Sequence, residues 1–393
     1  MKRVWKSIDY TLLLPLVIVC VLGTIMVYSA SSIVSISKYD NARYFFNKQL
    51  VSLGVGSVAC LIALLVPYRI LKKRLVIVMV IGLSLGLLGA TLVIGKEVNG
   101  IKAWVFGIQP AEFVKISIIV VLARFFARRQ ETNTSIWQGS AGTIVFLGLC
   151  SFLILKQPDL GTLIVIAGMV GVMILCSGIQ IRIKLWLKRL IMTSIIWMPL
   201  LYVAWHYVLE DYQKARFLVF LNPFSDPQGD GFQLINSFIG IASGGVNGRG
   251  LGNSIQKYGY LPEAQTDFIM AIVSEELGLI GITIILSCLL LIAIRALRIA
   301  QKCKDPFGSL LAIGIGSLLS IQTFINVGGI TGLIPLTGVP LPFVSYGGSS
   351  LIANLTMMGI LFSVARYVKE QENEQEKWLE KKEKREPHLM VVK

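Results

Sequence analysis

Long apolar stretches recur along this chain from Thr11 to Val368, and they restrict its fold more than any other feature. An α-helix needs about 20 consecutive apolar residues to cross the hydrocarbon core of a bilayer. The 393 residues are 54% hydrophobic and only 15% charged, with a mean hydropathy of +0.71. A soluble domain carries about a quarter charged residues. The sequence therefore predicts an all-α fold, a polytopic transmembrane helical bundle, rather than several soluble domains.

The apolar pattern predicts about ten membrane spans. They lie near residues 11–32, 47–67, 74–95, 110–127, 141–157, 159–178, 188–208, 267–297, 307–330 and 347–368. Lysine and arginine clusters fall on alternate sides of successive spans, and such clusters collect in cytoplasmic loops. Both termini are therefore predicted to be cytoplasmic. On this topology residues 1–368 form the membrane domain, and residues 369–393 form a charged cytoplasmic tail. Residues 209–266 form one long extracytoplasmic loop before the eighth span.

Several classes of function have no support in the residues. The net charge of +15 fits basic cytoplasmic loops, and no basic soluble domain is present that would bind nucleic acid. None of the six cysteines forms a CxxC pair, so neither a disulfide framework nor a zinc site is indicated. His206 and His388 are the only histidines, which leaves too few for His-based metal or triad chemistry.

Three outer segments should have distinct conformations. The stretch FQLINSFIGIA (232–242) is typical of an amphipathic helix in the membrane interface. The glycine-rich residues that follow should be mobile or tightly turned. Prolines and glycines between 328 and 350 forbid a continuous helix, although the segment is apolar. Irregular backbone at membrane depth persists only when it is buried in protein or lines a cavity, so a re-entrant segment or plug is predicted here.

Asp267 stands where a polar loop becomes an apolar helix, in the stretch YLPEAQTDFIMAIVSEELG (260–278). A carboxylate at this place can cap the helix, as can Thr266, or it can carry chemistry. The residues alone leave these alternatives open. Small residues on the helical stripe below the acid favour close helix packing, with an open groove as the alternative. Glu275 and Glu276 lie deeper and need partners in the bundle, so they are interpreted as structural polar links.

Two other motifs place charges at the ends of spans. In QPAEFVK, Glu112 and Lys115 share a helical face, either as a local ion pair or as a polar wall of a substrate cavity. In KQPDLGT, Asp159 can cap the following helix, with substrate contact as the alternative.

Arg216, Arg249 and Lys257 are cations in the long outer loop. They run against the preference for basic residues inside the cell. An anionic ligand such as a phosphate would explain them, and solvated loop charges would explain them equally well.

The motifs QPAEFVK, KQPDLGT, YLPEAQTDFIMAIVSEELG and FINVGGITGLIPLTGVPLPFVSYGGSSL (324–351) occur in this order. Together they resemble the FtsW/RodA/SpoVE family of SEDS peptidoglycan glycosyltransferases over essentially the whole chain except the tails. The stretch GLGNSIQKYGYLPEAQTDFI looks most similar to the FtsW and SpoVE branch. Gln265 departs from the histidine that often precedes the TDF motif in this family.

The resemblance implies polymerisation of lipid II, a disaccharide-pentapeptide on undecaprenyl pyrophosphate, at the outer face of the bacterial plasma membrane. Asp267 matches the essential acid of the family and would act as the general base on the acceptor 4-hydroxyl. The leaving pyrophosphate would need Arg216, Arg249, Lys257, Lys115 or a divalent cation such as Mg²⁺ or Mn²⁺. Glu112, Lys115 and Asp159 match positions that line the central cavity, and Ser345 and Tyr346 would shape its wall.

The resemblance also implies a class B penicillin-binding protein, a transpeptidase, as partner, with other divisome or elongasome membrane proteins. Two alternatives remain at this point. A lipid II flippase would move the substrate without changing its length, and a non-catalytic divisome scaffold would tolerate Asp267→Asn.

Overall fold

A computed structural model describes residues 9–98, 101–132, 139–178 and 211–385, which form eleven α-helices and one β-hairpin. The helices are α1 (Tyr10–Tyr39), α2 (Tyr44–Leu65), α3 (Arg74–Ile94), α4 (Pro110–Thr132), α5 (Ala141–Leu155), α6 (Leu160–Leu175), α7 (Asp211–Leu221), α8 (Phe232–Gly244), α9 (Ile269–Lys302), α10 (Pro306–Ile330) and α11 (Gly348–Arg385). The strands β1 (Lys96–Val98) and β2 (Ile101–Trp104) pair antiparallel between α3 and α4.

Every predicted span that falls on described residues is a helix, while the predicted span 188–208 lies outside the described residues. Six described helices are long and apolar enough to cross a membrane: α1, α2, α3, α9, α10 and α11. The apolar helices α5 and α6 are shorter, with 15 and 16 residues. The prediction of an all-α fold missed only the hairpin. At the far end, α11 runs without a break through the predicted tail boundary at residue 368.

Successive long helices run in alternate directions, which gives the bundle two ends. At one end Arg295, late in α9, contacts Asp9 just before α1 at 2.7 Å, and Tyr68 after α2 donates to Asp305 before α10. We call this the basic end. At the other end, the site end, α1 and α10 finish while α2, α4, α6, α9 and α11 begin.

Residues 331–347 join α10 to α11 at the site end without regular secondary structure. Val339, Leu341 and Phe343 of this segment are buried, and its backbone presses against α1 at Gly23. A Cβ at Gly23 would lie 2.6 Å from the Phe343 carbonyl oxygen, so only glycine allows this contact. The prediction of an irregular segment buried in protein is confirmed.

The predicted long loop also contains regular structure at the site end. The stretch FQLINSFIGIA is helical, as predicted, and forms most of α8. α8 packs along α9, where Gly240 and Gly244 approach the Ala271 and Ser274 carbonyls. This contact confirms that the small residues of α9 serve close helix packing. The glycine-rich residues that follow are tightly turned, with positive φ at Gly248, among others.

Candidate active site

A cavity of about 800 Å³ opens at the site end of the bundle. Its walls come from α1, α2, α4, α6, α7, the turn before α9 and the irregular segment before α11. It gathers six of the predicted site residues: Glu112, Lys115, Asp159, Arg216, Asp267 and Tyr346. Residues that are far apart in the sequence therefore share one polar chamber.

Asp267 lies in a turn just before α9 and faces this cavity rather than capping the helix. The N-cap of α9 is Phe268, and no side chain caps the helix there. Thr266 is occupied elsewhere, since its hydroxyl donates to the Glu263 carbonyl and carboxylate at 3.0 Å each. The capping interpretation of Asp267 and Thr266 is therefore wrong, and the Asp267 carboxylate is left at the cavity wall.

Asn326 joins the backbone of Asp267 to that of the irregular segment, and the sequence analysis did not identify this residue. Its buried amide nitrogen donates to the carbonyl of Asp267 at 2.8 Å and to that of Val339 at 2.9 Å. Nearby, the Tyr346 amide donates to the Gln265 carbonyl at 2.8 Å. These bonds join the Asp267 turn to the irregular segment 331–347, and they hold Asp267 at a defined place.

Burial and nearby charges perturb the acidity of Asp267. Burial in the chamber, which removes water from the carboxylate, is the largest cause and raises the pKa of Asp267 to about 6. The negative charge of Glu263 raises the pKa further, the Arg216 guanidinium lowers it, and Asp159 raises it. A carboxylate with a pKa near 6 is ionised at neutral pH and is a stronger base than an ordinary aspartate.

Gly338 forms the wall directly beside Asp267 and Arg216. A Cβ built on Gly338 would lie 3.4 Å from Asp267 Oδ2 and 3.6 Å from Arg216 Nη1. The backbone at Gly338 also has a φ of +73°, a conformation that glycine adopts most readily. A side chain at this position would therefore touch the acid and the guanidinium and fill the cavity space beside them.

Glu112 and Lys115 form a buried ion pair in the cavity wall. Lys115 Nζ lies 2.8 Å from Glu112 Oε1, and both side chains are almost fully buried. The predicted local ion pair is therefore present, in a position that also lines the chamber. Glu112 Oε2 is buried and has no hydrogen-bond partner among the described residues, so it can accept a bond from a ligand.

Asp159 likewise has a structural contact and a place in the wall. It caps α6 by accepting from the Thr162 amide at 2.9 Å and from the Thr162 hydroxyl at 2.8 Å. The Gln109 amide also donates to Asp159, at 3.3 Å. The predicted cap is confirmed, and contact with a substrate stays a prediction.

Two lysines that sequence reasoning did not single out also line the cavity. Lys38 comes from the end of α1 and Lys48 from the first turns of α2. Lys48 donates to the Tyr44 hydroxyl at 2.6 Å. Both belong to outer ends of predicted spans, where lysine is uncommon. Their unusual position at the outer ends of spans is the sequence signal that would have identified them.

Arg249, Lys257 and Ser345 lie outside the cavity, contrary to their prediction as substrate contacts. Arg249 is 3.5 Å from Glu275 Oε1, and the buried Lys257 is 3.0 Å from Glu276 Oε1. Each cation is thus directed toward a buried carboxylate, whose burial requires a partner. Ser345 is buried, and its hydroxyl accepts from the Leu341 amide at 2.9 Å. It stabilises the irregular segment behind the wall.

The Glu275 and Glu276 region holds a break in α9. Gly278 has non-helical angles, φ +63° and ψ −159°. The Arg249 amide donates to the Glu275 carbonyl at 2.9 Å, and the Leu279 amide donates to the Gly245 carbonyl at 3.0 Å. The glycine-rich loop therefore supplies backbone partners that the interrupted helix lacks, as broken helices at membrane depth require.

The two carboxylates complete this link between the loop and α9. Glu275 accepts from the amides of Ile255 and Gln256 at 2.9 and 3.2 Å, and Glu276 accepts from Ser29 of α1 at 2.7 Å. Their interpretation as structural polar links is confirmed. Because the turn with Asp267 leads directly into the same half of α9, these contacts also hold the acid indirectly.

A divalent cation would need several hard oxygen ligands converging on one point. Within the described residues, no group of three His, Cys, Asp or Glu side chains is placed to hold a metal ion. The cavity carboxylates therefore do not form a ready-made protein site, and the cation stays a prediction.

Comparison with known proteins adds to this geometry. The sequence profile of the FtsW/RodA/SpoVE family, described as cell cycle protein, matches residues 10–370. A probable peptidoglycan glycosyltransferase FtsW of Bacillus subtilis (strain 168) is 42% identical over 387 residues, which are 96% of this chain and 95% of the relative. Stage V sporulation protein E of the same strain is 39% identical over 365 residues, 92% of this chain and 98% of the relative.

Solved structures show the same architecture. A chain from the structure "Structural coordination of polymerization and crosslinking by a peptidoglycan synthase complex" is similar with a TM-score of 0.71 and 28% identity, covering 92% of this chain and 98% of that one. The rod shape determining protein RodA of Thermus thermophilus is similar with a TM-score of 0.65 and 25% identity, over 92% and 98% of the two chains.

Proposed function

This chain belongs to the FtsW/RodA/SpoVE family, it is a peptidoglycan glycosyltransferase, and we propose that Asp267 is the base with which it polymerises lipid II. The observation that carries the proposal is the place of Asp267, outside the helix and in the wall of a polar chamber. The resemblance of its motifs to the FtsW and SpoVE branch agrees with the relatives found, which include members of both groups.

The orientation of the bundle follows from its two ends. The site end carries Asp267, and the opposite end carries the arginine clusters that favour the cytoplasmic side. The protein would therefore span the bacterial plasma membrane about ten times, with both termini inside, residues 1–368 as the membrane domain and residues 369–393 as a cytoplasmic tail. The chamber, with residues 209–266 beside it, would face outside.

This orientation explains why an acid stands at the mouth of an apolar helix. The sugars of two lipid II molecules extend into water at the outer leaflet, while their lipid tails stay in the bilayer. A base at that boundary can reach a sugar hydroxyl without leaving the protein wall.

Asp267 would take the proton from the 4-hydroxyl of the acceptor GlcNAc as that oxygen attacks the anomeric carbon of the donor. The new glycosidic bond forms as the bond to the donor's pyrophosphate oxygen breaks, and its electron pair leaves with undecaprenyl pyrophosphate. The proton passes from Asp267 to solvent. A single displacement at an α-linked donor inverts the centre and gives a β-1,4 linkage. A positioned base typically contributes about 10²–10⁴-fold to such a rate.

Cations of the chamber would stabilise the departing pyrophosphate. Arg216 lies close enough to Asp267 to lower its pKa, so it can hold an anion beside the reacting atoms. Lys115, Lys38 and Lys48 line the same space. Glu112, Asp159 and Tyr346 would contact the polar groups of the sugars. Arg249 and Lys257 would not stabilise the pyrophosphate, because their charges are directed toward Glu275 and Glu276.

The partner would be a class B penicillin-binding protein that cross-links the new strand. Support comes from the similar chain found in a peptidoglycan synthase complex that coordinates polymerisation and crosslinking. Other membrane proteins of the division or elongation machinery would join the pair.

The test is the length of the product. Purified protein with its cognate penicillin-binding protein would be given labelled lipid II, and the products would be separated by size. We expect long glycan strands. Lipid II that crosses vesicle leaflets without gaining length would contradict polymerisation and favour transport.

A further inference from the structure

A second cavity, of about 520 Å³, lies at the basic end between α3, α4 and α5. Four arginines line it: Arg74, Arg124, Arg128 and Arg129. They come from the first turn of α3 and the last turns of α4, so two helices direct their positive charges into one space. This cavity lies at the opposite end of α4 from Glu112 and is separate from the active site.

The described lining of this cavity carries charge of one sign only. None of its described lining residues is acidic. The nearby Glu131 pairs with Lys72 at 2.5 Å. Residues 133–138, between α4 and α5, contain no charged side chain in the sequence. The like charges of Arg74, Arg124 and Arg128 repel one another in this cavity, so an anionic ligand would stabilise them.

One guanidinium nitrogen in this cavity is a buried donor that such a ligand could bind. Arg124 Nη1 is buried and has no hydrogen-bond partner among the described residues. A buried donor without an acceptor is unfavourable, and a phosphate oxygen would satisfy it. Arginine is also the side chain whose planar donors best match phosphate oxygens.

Apolar side chains also line the cavity, and apolar side chains are exposed on the neighbouring helix surfaces. Ile77, Val78, Ile81 and Phe125 line the cavity beside the arginines. Val78 of α3 is 59% exposed, and Ile144 of α5, which follows the lining residue Thr143, is 54% exposed. Both helices beside the cavity therefore present apolar surface. A soluble anion would use only the arginines, whereas a lipid would also cover these side chains.

We propose that this cavity binds the phosphate headgroup of an anionic phospholipid, with an acyl chain lying along α3 and α5. Basic pockets between transmembrane helices are suited to such headgroups. The lipid would connect α4, which carries Glu112 and Lys115 at its other end, to the two neighbouring helices. With the basic end on the cytoplasmic side, as proposed above, this lipid belongs to the inner leaflet. The binding itself does not depend on that orientation.

The test is lipid binding by the purified full-length protein in detergent, read by native mass spectrometry. Phosphatidylglycerol and phosphatidylcholine would be titrated separately, and inorganic phosphate would be added alone and in competition. We expect phosphatidylglycerol to bind about tenfold more tightly than phosphatidylcholine. Arg124→Gln and Arg128→Gln should each weaken phosphatidylglycerol binding by about fivefold. Arg298→Gln, which removes an exposed arginine elsewhere on α9, should leave it unchanged.

Arg128 is exposed at the cavity rim, so its variant tests the site even if Arg124→Gln does not fold. Equal affinity for the two lipids would overturn the proposal, as would an equal loss in Arg298→Gln. Saturable binding of inorganic phosphate that displaces the lipid would assign the cavity to a soluble anion instead. Because no glycan synthesis is measured, the result is independent of the polymerisation assay.

Discussion

The acid limb of the pH–rate profile should reveal the unusual environment of Asp267. Burial and Glu263 raise the pKa of Asp267 to about 6, against 3.8 for an ordinary aspartate. A general base works only when it is ionised, so the rate should follow the ionised fraction. With a pKa of about 6, activity should be about tenfold lower at pH 5 than at pH 7. With an ordinary pKa it would change by less than about 10% over the same range.

Two substitutions should move this limb in opposite directions. Arg216→Gln removes the cation that favours the ionised carboxylate, so the pKa of Asp267 should rise and the limb should move to higher pH. Glu263→Gln removes a negative neighbour, so the pKa should fall and the limb should move to lower pH. The glutamine amide in the second variant keeps a side-chain oxygen that can accept from Thr266, which preserves the local turn.

The assay is the initial rate of polymerisation from labelled lipid II, measured as kcat/KM from pH 4.5 to pH 8. This parameter reports the ionisation of groups in the free enzyme, and Asp267 is the group expected to set its acid limb. A limb that stays near pH 4, or one that moves the same way in both variants, would refute the assignment of the limb to Asp267.

Three further perturbations follow from the geometry. Asp267→Asn should stabilise the protein by up to about 3 kcal/mol at pH 8 and by little at pH 4. The raised pKa means that the folded protein holds the ionised carboxylate less favourably than the unfolded chain does, and this cost is absent where the carboxyl is protonated in both states. Thermal unfolding at both pH values measures the difference. Lys257→Met should lower the free energy of unfolding by about 3–5 kcal/mol, since it leaves Glu276 buried without its cation, and unchanged thermal unfolding would contradict the link. Gly338→Ala should reduce the polymerisation rate, because the new methyl would lie in contact with Asp267 Oδ2 and fill the cavity space beside it. Gly259→Ala adds a methyl to open space, also at positive φ, and should cost only the backbone strain of about 1–2 kcal/mol. Equal loss of rate in the two glycine variants would show that strain, rather than crowding of the acid, is the cause.

The long helices could be predicted from the sequence because each depends mainly on its own apolar residues. A run such as Arg74–Ile94 is helical whatever its neighbours are, since the bilayer leaves the backbone no other partners. The hairpin, which the all-α prediction lacks, does have a local signal in the sequence. Asn99-Gly100 stands between its two strands, and that dipeptide favours tight hairpin connections.

The break in α9 could not be predicted, because its cause lies in another segment. Gly278 interrupts an apolar pattern that resumes at once and continues to Ile294. Only the loop that includes Gly245 and Arg249 supplies the missing hydrogen bonds. A single glycine in a long apolar run does not reveal such a partner.

In the candidate site, too, features with a local motif could be predicted, and features that depend on distant residues could not. Glu112, Asp159 and Asp267 were found through motifs, and the cavity brings them together. Arg216 and Lys257 carry the same charge in the same predicted loop, yet only Arg216 reaches the chamber. The buried Glu276 attracts Lys257 away, and no local pattern shows which cation a distant carboxylate will bind.

The role of Asp267 as the base of a lipid II polymerase can be tested by one comparison of variants. Wild type, Asp267→Asn and the surface control Asp230→Asn would be assayed for polymerisation with the same penicillin-binding protein, after equal folding and equal partner binding are verified. Asp230 is exposed and lies outside the cavity. We expect long glycan strands from wild type and Asp230→Asn, and at least about a hundredfold less product from Asp267→Asn. Strands of equal length and yield from Asp267→Asn would contradict this role.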